Sequence, residues 1–178
     1  MLTTDETLLL IVDIQGKLAR IVHASDATID AAGKLIRGAM VLELPILWTE
    51  QNPAGLGPTV PELAALLPGE PIGKLSFSCA GEQRFVDALD EIGRNDVLLA
   101  GIEAHVCVCQ TALDLLAVGH RVHVVADAVS SRTPENRSIG LARIARAGGE
   151  ITSVEAALFE LLKVADGPKF KELLKIVK

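Results

Sequence analysis

The amino-acid sequence predicts a single α/β domain over residues 1–178, with a doubly wound parallel sheet of about six strands in a three-layer α/β/α arrangement. Short apolar runs of strand length alternate with longer helical stretches, and right-handed crossovers turn such an alternation into parallel strand pairing. The length of 178 residues suits one hydrophobic core. No internal repeat, linker or low-complexity segment indicates a second domain.

The chain opens with a predicted strand and a long helix. Residues 8–12 are uniformly apolar and end at Asp13, which is typical of a central strand covered on both faces. Apolar residues then recur at helical spacing over 26–43, and Ser25 or Asp26 is the expected helix cap.

Glycine and proline punctuate the rest of the chain. Gly119 ends one predicted helix and Pro134 begins another. In order, we predict a strand at 44–48, a loop at 52–61, a helix at 62–67, a strand at 71–75, a helix at 81–92, a strand at 96–100, a helix at 105–118, a strand at 121–126, a helix at 134–147, a strand from 151 and a helix at 154–164. The basic stretch 163–178 predicts a terminal amphipathic helix with a solvated lysine face.

Composition excludes several classes of protein. The sequence is 49% hydrophobic but has no apolar run of the roughly 18 residues that span a bilayer, and no basic signal-peptide flank, so we expect a soluble, cytoplasmic protein without a membrane partner. Three cysteines without regular spacing favour reduced thiols over a disulfide framework. A net charge of -6 and an aromatic content of 3% argue against a nucleic-acid partner.

Three chemically active side chains follow predicted strands. Asp13, Lys74 and Cys107 come from three separate strand ends, which a parallel sheet gathers at its carboxyl edge near the topological switch point. Each residue also has an ordinary interpretation. Asp13 could cap the turn at 14–16, Lys74 could be a surface lysine, and Cys107 could be a small core residue.

Helix geometry distinguishes the cysteines. Cys107 falls in the first turn of a predicted helix, where the macrodipole favours a thiolate, so we expect a lowered thiol pKa. Cys109 shares a helix face with Leu113 and Leu116 and is the better candidate for packing, and Cys79 could also be core filler. The Cys-x-Cys pair lacks the second Cys or His pair that zinc requires.

The three side chains suit acyl transfer. Asp13 could take the thiol proton and return it to the leaving group, while Cys107 attacks a carbonyl carbon and Lys74 holds the charge state of the pair. Backbone N-H groups around Ala104 and Cys107 are the expected oxyanion donors. The sequence contains no Gly-x-Ser-x-Gly elbow, no Gly-x-Gly-x-x-Gly after the first strand and no Walker loop, so neither a serine nucleophile nor a nucleotide cofactor has sequence support.

Four short motifs in order carry a family resemblance that covers essentially the whole chain. They are LLIVDIQ at 9–15, TEQN at 49–52, GKLSFS at 73–78 and GIEAHVCV at 101–108. Through them the chain resembles the isochorismatase-like cysteine hydrolase superfamily, most closely the isochorismatase domain-containing proteins. The resemblance implies a strand order of 3-2-1-4-5-6, an Asp-Lys-Cys triad at Asp13, Lys74 and Cys107, and frequent formation of homo-oligomers.

The resemblance also implies an oxyanion site and bears on metals and substrates. It implies a cis peptide before Glu103 that turns backbone N-H groups of the segment Ile102, Glu103, Ala104 toward the oxyanion. The nicotinamidases of the superfamily carry a metal-binding Asp-x-His after the second strand, whereas residues 49–53 contain no histidine, so we expect no catalytic metal and no cofactor. Enzymes that hydrolyse isochorismate lack the cysteine nucleophile, so isochorismate is not the expected substrate.

Several further residues lie near predicted strand ends. By position alone, the substrate pocket is predicted to include Gln15, Trp48, Gln51, Phe77 and Thr111. His105 either lines this pocket or caps its own helix. Asp127 is interpreted as a turn residue rather than a second catalytic acid.

The leading functional hypothesis is hydrolysis of a small amide or related C-N bond through a thioester intermediate. The small molecule would be the main partner, and we expect a homo-oligomer of two or more copies. A non-catalytic scaffold or binding subunit is the alternative. A redox sensor would need Cys107 to pair with Cys109, and their separation along one helix makes disulfide geometry poor.

Overall fold

Six parallel strands form one sheet in the computed structural model, which describes all 178 residues. The strands are β1 (Thr7–Val12), β2 (Ile46–Gln51), β3 (Ile72–Lys74), β4 (Asp96–Ile102), β5 (Arg121–Ser130) and β6 (Glu150–Thr152). Their order is β3-β2-β1-β4-β5-β6, and every neighbouring pair is parallel. The predicted fold class and strand order are confirmed.

Nine α-helices accompany the sheet. They are α1 (Gly16–Ile21), α2 (Ser25–Val41), α3 (Pro53–Leu56), α4 (Pro61–Ala64), α5 (Gln83–Ile92), α6 (Cys107–Ala117), α7 (Pro134–Arg146), α8 (Val154–Leu162) and α9 (Gly167–Val177), with a 3-10 turn at Cys79–Gly81. None of them is both long enough and apolar enough to cross a membrane. The short helices α1 and α3 lie where the sequence predicted none.

The start of α2 differs from the expected cap. Ala24 is the N-cap residue, with a left-handed φ of 51° and no capping side chain, so the expectation for Ser25 or Asp26 is wrong. The Ser25 hydroxyl donates instead to the Ala19 carbonyl at 2.7 Å. That bond ties the start of α2 to α1.

Strand β2 begins and ends later than predicted. The N-H of Leu44 bonds back to the Ala39 carbonyl and closes α2, so Leu44 belongs to the helix end rather than to the strand. The strand then continues through Thr49, Glu50 and Gln51, which are polar but buried. Polar side chains can occupy such positions because they find hydrogen-bond partners on neighbouring segments.

The sheet separates two apolar cores. Leu9 and Ile11 of β1 pack toward α2 and α8, whereas Leu8, Leu10 and Val12 pack toward α5 and α6. Full burial of each such side chain contributes roughly 1.5–3 kcal/mol to folding, so the uniformly apolar β1 is the common anchor of both layers.

At the carboxyl edge, β1 and β4 approach closely. Val12 pairs with Gly101, whose φ is 138°. A Cβ atom at Gly101 would lie 2.1 Å from the Val12 carbonyl oxygen, so only glycine fits. This contact brings the residues that follow β1 and β4 next to one another.

Candidate functional site

A buried ion pair joins the ends of β1 and β3. Asp13 follows β1 with a left-handed φ of 54°, and its carboxylate Oδ2 lies 2.7 Å from the Lys74 Nζ. Their side chains are only 2% and 0% exposed, respectively. Neither the turn-cap interpretation of Asp13 nor the surface interpretation of Lys74 fits this geometry, because each charge is the buried partner of the other.

The Lys74 ammonium is fully occupied. Besides Asp13, its Nζ contacts the Gln51 Oε1 at 2.9 Å and the carbonyl oxygens of Ser76 and Phe77 at 3.1 and 2.9 Å. An ammonium has three N-H groups, and here four acceptors surround it. Lys74 therefore has no donor left for a ligand and acts as a fixed positive charge.

The second oxygen of Asp13 is also bound. The Thr49 hydroxyl donates to Oδ1 at 2.7 Å and lies 3.7 Å from the Cys79 sulfur. Sequence reasoning missed Thr49. Its signal is register, because Thr49 pairs with Val12, the residue directly before Asp13.

Cys107 is the first residue of α6 and is 7% exposed. Burial and the negative charge of Asp13 together raise the pKa of the Cys107 thiol to about 12, although the Lys74 ammonium acts in the opposite direction. The expected fall in this pKa is therefore wrong. Burial and a neighbouring carboxylate outweigh the helix N-terminus, so the resting thiol is protonated at neutral pH.

The other two cysteines are fully buried. Burial raises the pKa of Cys79 to about 11, and burial also raises the pKa of Cys109. Cys109 packs in the core between α6 and the sheet, as its helix face indicated. Cys107 differs from both in retaining a small exposed fraction beside the Asp13 carboxylate.

The segment between β4 and α6 contains a cis peptide bond between Ile102 and Glu103. The Ala104 N-H donates to the Ser130 carbonyl at 2.7 Å. The expectation that Ala104 supplies an oxyanion donor is therefore wrong. The N-H groups of Glu103, His105 and Cys107 have no acceptor in the protein. Because the His105 nitrogen lies against Gly140 of α7, the N-H groups of Glu103 and Cys107 are the candidate oxyanion donors.

Two glutamines of the predicted pocket support the ion pair. The Gln51 Oε1 accepts a hydrogen bond from the Lys74 ammonium, and the Gln51 Nε2 donates to the Leu75 carbonyl at 2.7 Å. Gln15 is buried and bonds the backbone of Gln51 and Gly57 through its amide. Both side chains hold the loops around the site in place.

Two other residues of the predicted pocket, Trp48 and Thr111, are buried. Trp48 points into the core on the opposite face of the sheet and donates its Nε1 to the Pro68 carbonyl at 2.8 Å. Thr111 is fully buried, and its hydroxyl accepts the Cys79 N-H at 2.9 Å. Neither side chain is exposed at the site, because Trp48 packs on the other face of the sheet and the Thr111 hydroxyl is bound to the Cys79 backbone.

The remaining candidates are placed as follows. Phe77 is 55% exposed beside the site, with its carbonyl on Lys74. The His105 Nδ1 lies 3.0 Å from the Ser131 hydroxyl, and the residue that caps α6 is Val106, so the capping alternative for His105 is wrong. Asp127 lies inside strand β5 rather than in a turn, so its interpretation as a turn residue is wrong, and its carboxylate accepts the Val154 N-H at the start of α8.

No group of three or more His, Cys, Asp or Glu side chains is arranged to hold a metal ion. The chemistry that the site offers is that of a nucleophilic sulfur, a carboxylate within reach of its proton, and an enclosed cation.

Residues 7–156 match the family model described as the isochorismatase domain. A relative in Mus musculus, named isochorismatase domain-containing protein 2A, is 39% identical over 98% of this chain and 84% of its own length. The solved structure of MAR1 ribonuclease from Caenorhabditis elegans is 39% identical, with a TM-score of 0.92 over 99% of this chain and 91% of that one.

Bacterial structures named YcaC are also similar. The protein from Pseudomonas aeruginosa, described with hexane-2,5-diol and covalent acrylamide, is 27% identical with a TM-score of 0.92 over 98% of this chain and 90% of that one. The protein from Escherichia coli, described as an octameric hydrolase of unknown specificity, has the same identity and TM-score over 98% of this chain and 89% of that one.

Proposed function

Since this chain belongs to the isochorismatase family, we propose that it is a hydrolase that cleaves a small amide or related C-N bond through a thioester on Cys107. The observation that carries the proposal is the buried Asp13–Lys74 pair, whose two charged atoms lie 2.7 Å apart and whose carboxylate raises the pKa of the neighbouring Cys107 thiol. This arrangement supplies a base, a nucleophile and a compensating charge in one place.

The first half of the reaction forms the thioester. Asp13 removes the Cys107 proton as the sulfur attacks the substrate carbonyl carbon, and the π electron pair moves onto oxygen. The N-H groups of Glu103 and Cys107 stabilise that oxyanion. When the tetrahedral intermediate collapses, the C-N bond breaks and Asp13 gives its proton to the departing nitrogen.

The second half consumes water. Asp13 takes a proton from a water molecule that attacks the thioester carbon, and collapse of the second tetrahedral intermediate breaks the C-S bond. The proton returns to the Cys107 sulfur, and the carboxylic acid product leaves. Lys74 compensates the Asp13 charge throughout, because its own N-H groups are committed to protein acceptors.

The raised thiol pKa favours a proton transfer that is coupled to attack. With a pKa of about 12, Cys107 carries almost no thiolate at neutral pH. The neutral resting thiol therefore makes Asp13 essential as a general base. The covalent acrylamide in the Pseudomonas aeruginosa YcaC structure is in keeping with a reactive nucleophile in this family.

We also propose that the protein is a homo-oligomer in a reducing, cytoplasmic compartment. The octameric Escherichia coli relative supports self-association, as do the exposed apolar side chains of Leu75 and Phe77. All three cysteines are free, which suits a compartment that keeps thiols reduced.

RNA cleavage is a second candidate, because the Caenorhabditis elegans relative at 39% identity is named a ribonuclease. The net charge of -6 disfavours it, since binding to a phosphate backbone relies on clustered cations. Lys74, the cation of the Asp13 pair, is buried, and its N-H groups are all bound to acceptors within the protein. We therefore favour a small, uncharged amide as the substrate.

The proposal is tested with a panel of small aliphatic and aromatic amides, followed by mass spectrometry of products and of the intact protein. We expect turnover by the parent and a trapped acyl group on Cys107. Cys107→Ala and Cys107→Ser should lose both, whereas Cys109→Ala, a matched change two residues away on the same helix, should retain turnover.

Turnover that survives in Cys107→Ala would remove the covalent mechanism. A labelled single-stranded RNA is assayed in parallel. Cleavage of the RNA but of no amide would favour the ribonuclease, and an inert Cys107 without turnover would favour a non-catalytic scaffold.

A further inference from the structure

The segment from Glu103 to Val106, which delivers Cys107, is bound at three successive residues by the end of β5 and the loop after it. The Glu103 carboxylate binds Arg132, the Ala104 N-H donates to the Ser130 carbonyl at 2.7 Å, and the His105 Nδ1 lies 3.0 Å from the Ser131 hydroxyl. None of these partners is part of the Asp13, Lys74, Cys107 group.

The Glu103 contact is an ion pair with one buried end. Its Oε1 accepts both the backbone N-H of Arg132 at 3.0 Å and the Arg132 Nε at 3.1 Å. The Glu103 side chain is 8% exposed and that of Arg132 is 58% exposed. A buried carboxylate is costly without partners, so Glu103 is strongly held to this one arrangement of the loop.

Helix α7 packs against the same segment. A Cβ atom at Gly140 would lie 2.4 Å from the Ala104 carbonyl oxygen and 2.8 Å from the His105 nitrogen. The helix therefore lies against the bare peptide between Ala104 and His105. Any side chain at position 140 would displace that peptide or the helix.

We propose that Glu103, Arg132 and Gly140 form a clamp that sets where the sulfur and the N-H of Cys107 lie relative to Asp13. The Glu103 and Arg132 side chains and the α-carbon of Gly140 act by position and contact no reacting atom, whereas the main-chain N-H of Glu103 is one of the proposed oxyanion donors that they hold in place. This inference rests on the proposed function. The peptide that the clamp holds joins Ala104 to His105, and His105 lies two residues before Cys107 at the start of α6, so a shift there is transmitted directly to Cys107. A displacement of about 1 Å at a reacting group can cost on the order of 100-fold in rate.

The test uses four variants that retain the catalytic groups. Glu103→Gln and Arg132→Gln remove the charge of the clamp, Arg132→Lys keeps the charge without the planar guanidinium, and Gly140→Ala adds the obstructing methyl group. Circular dichroism and thermal unfolding establish that each variant folds. Because Gly140→Ala is the most disruptive change, Glu103→Gln and Arg132→Lys keep the test decisive if it fails to fold.

Two matched controls make similar changes away from the site. Arg20→Gln breaks an Arg20–Glu62 pair with N-O distances of 2.7 and 2.8 Å. Gly33→Ala adds a methyl group inside α2, where the nearest atom is the flexible Arg37 side chain at 3.4 Å. Both should leave the site unchanged.

The first readout needs no substrate. The rate of Cys107 alkylation by iodoacetamide is followed against pH by mass spectrometry, since this profile reflects how Asp13, Lys74 and Cys79 face the thiol. We expect the profile to shift in Glu103→Gln, Arg132→Gln and Gly140→Ala, with partial restoration in Arg132→Lys. The two controls should follow the parent.

The second readout is kinetic, on whichever amide the parent hydrolyses. We expect kcat to fall about 10- to 100-fold in the clamp variants with KM within about twofold, because none of the altered side chains contacts substrate. If the clamp variants match Arg20→Gln and Gly33→Ala in both readouts, the clamp is refuted while the hydrolase stands. If the parent hydrolyses no amide but the alkylation profiles shift, the proposed function fails and the clamp stands.

Discussion

The two edges of the sheet carry nearly the same ion pair in different surroundings. At the carboxyl edge, Asp13 lies 2.7 Å from Lys74, and the cation is 0% exposed. At the amino edge, the Asp96 carboxylate binds Arg121 through two contacts of 2.7 and 2.8 Å, and the Arg121 side chain is 57% exposed. The carboxylates are equally buried, so the exposure of the cation is what distinguishes the pairs.

The neighbours differ as well. The Asp96 Oδ1 also lies 3.1 Å from the His123 Nε2, so the Asp96 carboxylate keeps a second hydrogen-bond partner if Arg121 moves into water. Asp13 has Lys74 as its one cation, and the remaining neighbours are Thr49 and the Cys107 thiol. The amino-edge pair can therefore serve stability alone, whereas the carboxyl-edge pair is enclosed beside the Cys107 thiol that we propose as the nucleophile.

The largest expected effect is on stability. Lys74→Met should lower the free energy of unfolding by about 3–5 kcal/mol, because it leaves the Asp13 charge buried without a cation. Arg121→Gln, the matched change at the amino edge, should cost far less, since the guanidinium is mostly solvated and His123 remains. Urea unfolding of both variants measures the difference.

A double variant sharpens this comparison. Asp13→Asn combined with Lys74→Met removes both charges, so it should recover much of the stability that Lys74→Met loses. Equal losses for Lys74→Met and Arg121→Gln would mean that burial of the cation does not distinguish the two edges.

The next effect concerns activity. Asp13→Asn should reduce kcat by about 100-fold or more, because the amide cannot accept the thiol proton. Asparagine tolerates the left-handed backbone at this position, so the loss would not come from strain. Asp96→Asn at the other edge should keep kcat near that of the parent, and a comparable loss there would break the division of roles between the two edges.

A third prediction concerns alkaline stability. The folded-state pKa values of Cys107 and Cys79 are raised to about 12 and about 11, whereas an unfolded cysteine titrates near ~8.5. The folded protein then holds thiol protons that the unfolded chain has released. Stability from both thiols is complete below pH ~8.5 and is lost as pH rises toward these folded values.

Cys107→Ala should therefore lose less stability between pH ~8.5 and ~10.5 than the parent, with a slope smaller by up to about 1.4 kcal/mol per pH unit. Arg121→Gln should retain the parent slope, because its thiols are intact. Urea unfolding at several pH values measures both, and parallel slopes for Cys107→Ala and the parent would contradict the raised pKa.

The smallest effect is expected at an exposed pair near the amino edge. The hydrogen bond from Lys169, at 2.8 Å, lowers the pKa of Glu43, so this carboxylate contributes stability above its usual pKa that is lost as pH falls through the lowered value. Both side chains are largely solvated, so Glu43→Gln should melt at neutral pH within error of the parent. A clear drop in Tm would show that exposure alone does not rank the ion pairs.

The sequence was most informative where a polar residue interrupts an apolar run. Asp13 follows a strand that is apolar on both faces, and Lys74 ends a short strand, so their proximity followed from the parallel topology. The identity of Cys107 as the third member came from the resemblance as well as from its place at a helix start.

The remainder depends on tertiary partners that periodicity does not encode. Thr49 and Gln51 were not recognised as strand residues bonded to the ion pair, because they read as the polar end of an apolar strand. Ala104 was expected to be a free donor, but β5 continues to Ser130, beyond the predicted end at residue 126, and its carbonyl takes that N-H. The raised pKa of Cys107 likewise comes from burial and from Asp13, a distant residue in sequence.

The enclosure of Lys74 has a consequence for how the protein responds to its solution. Dissolved ions weaken electrostatic attraction only where they can approach, and at about 0.15 M salt they screen exposed charges over roughly 8 Å. The 2% and 0% exposed groups of this pair are closed to them. Catalysis on an uncharged substrate should consequently be as fast in concentrated sodium chloride as in dilute buffer.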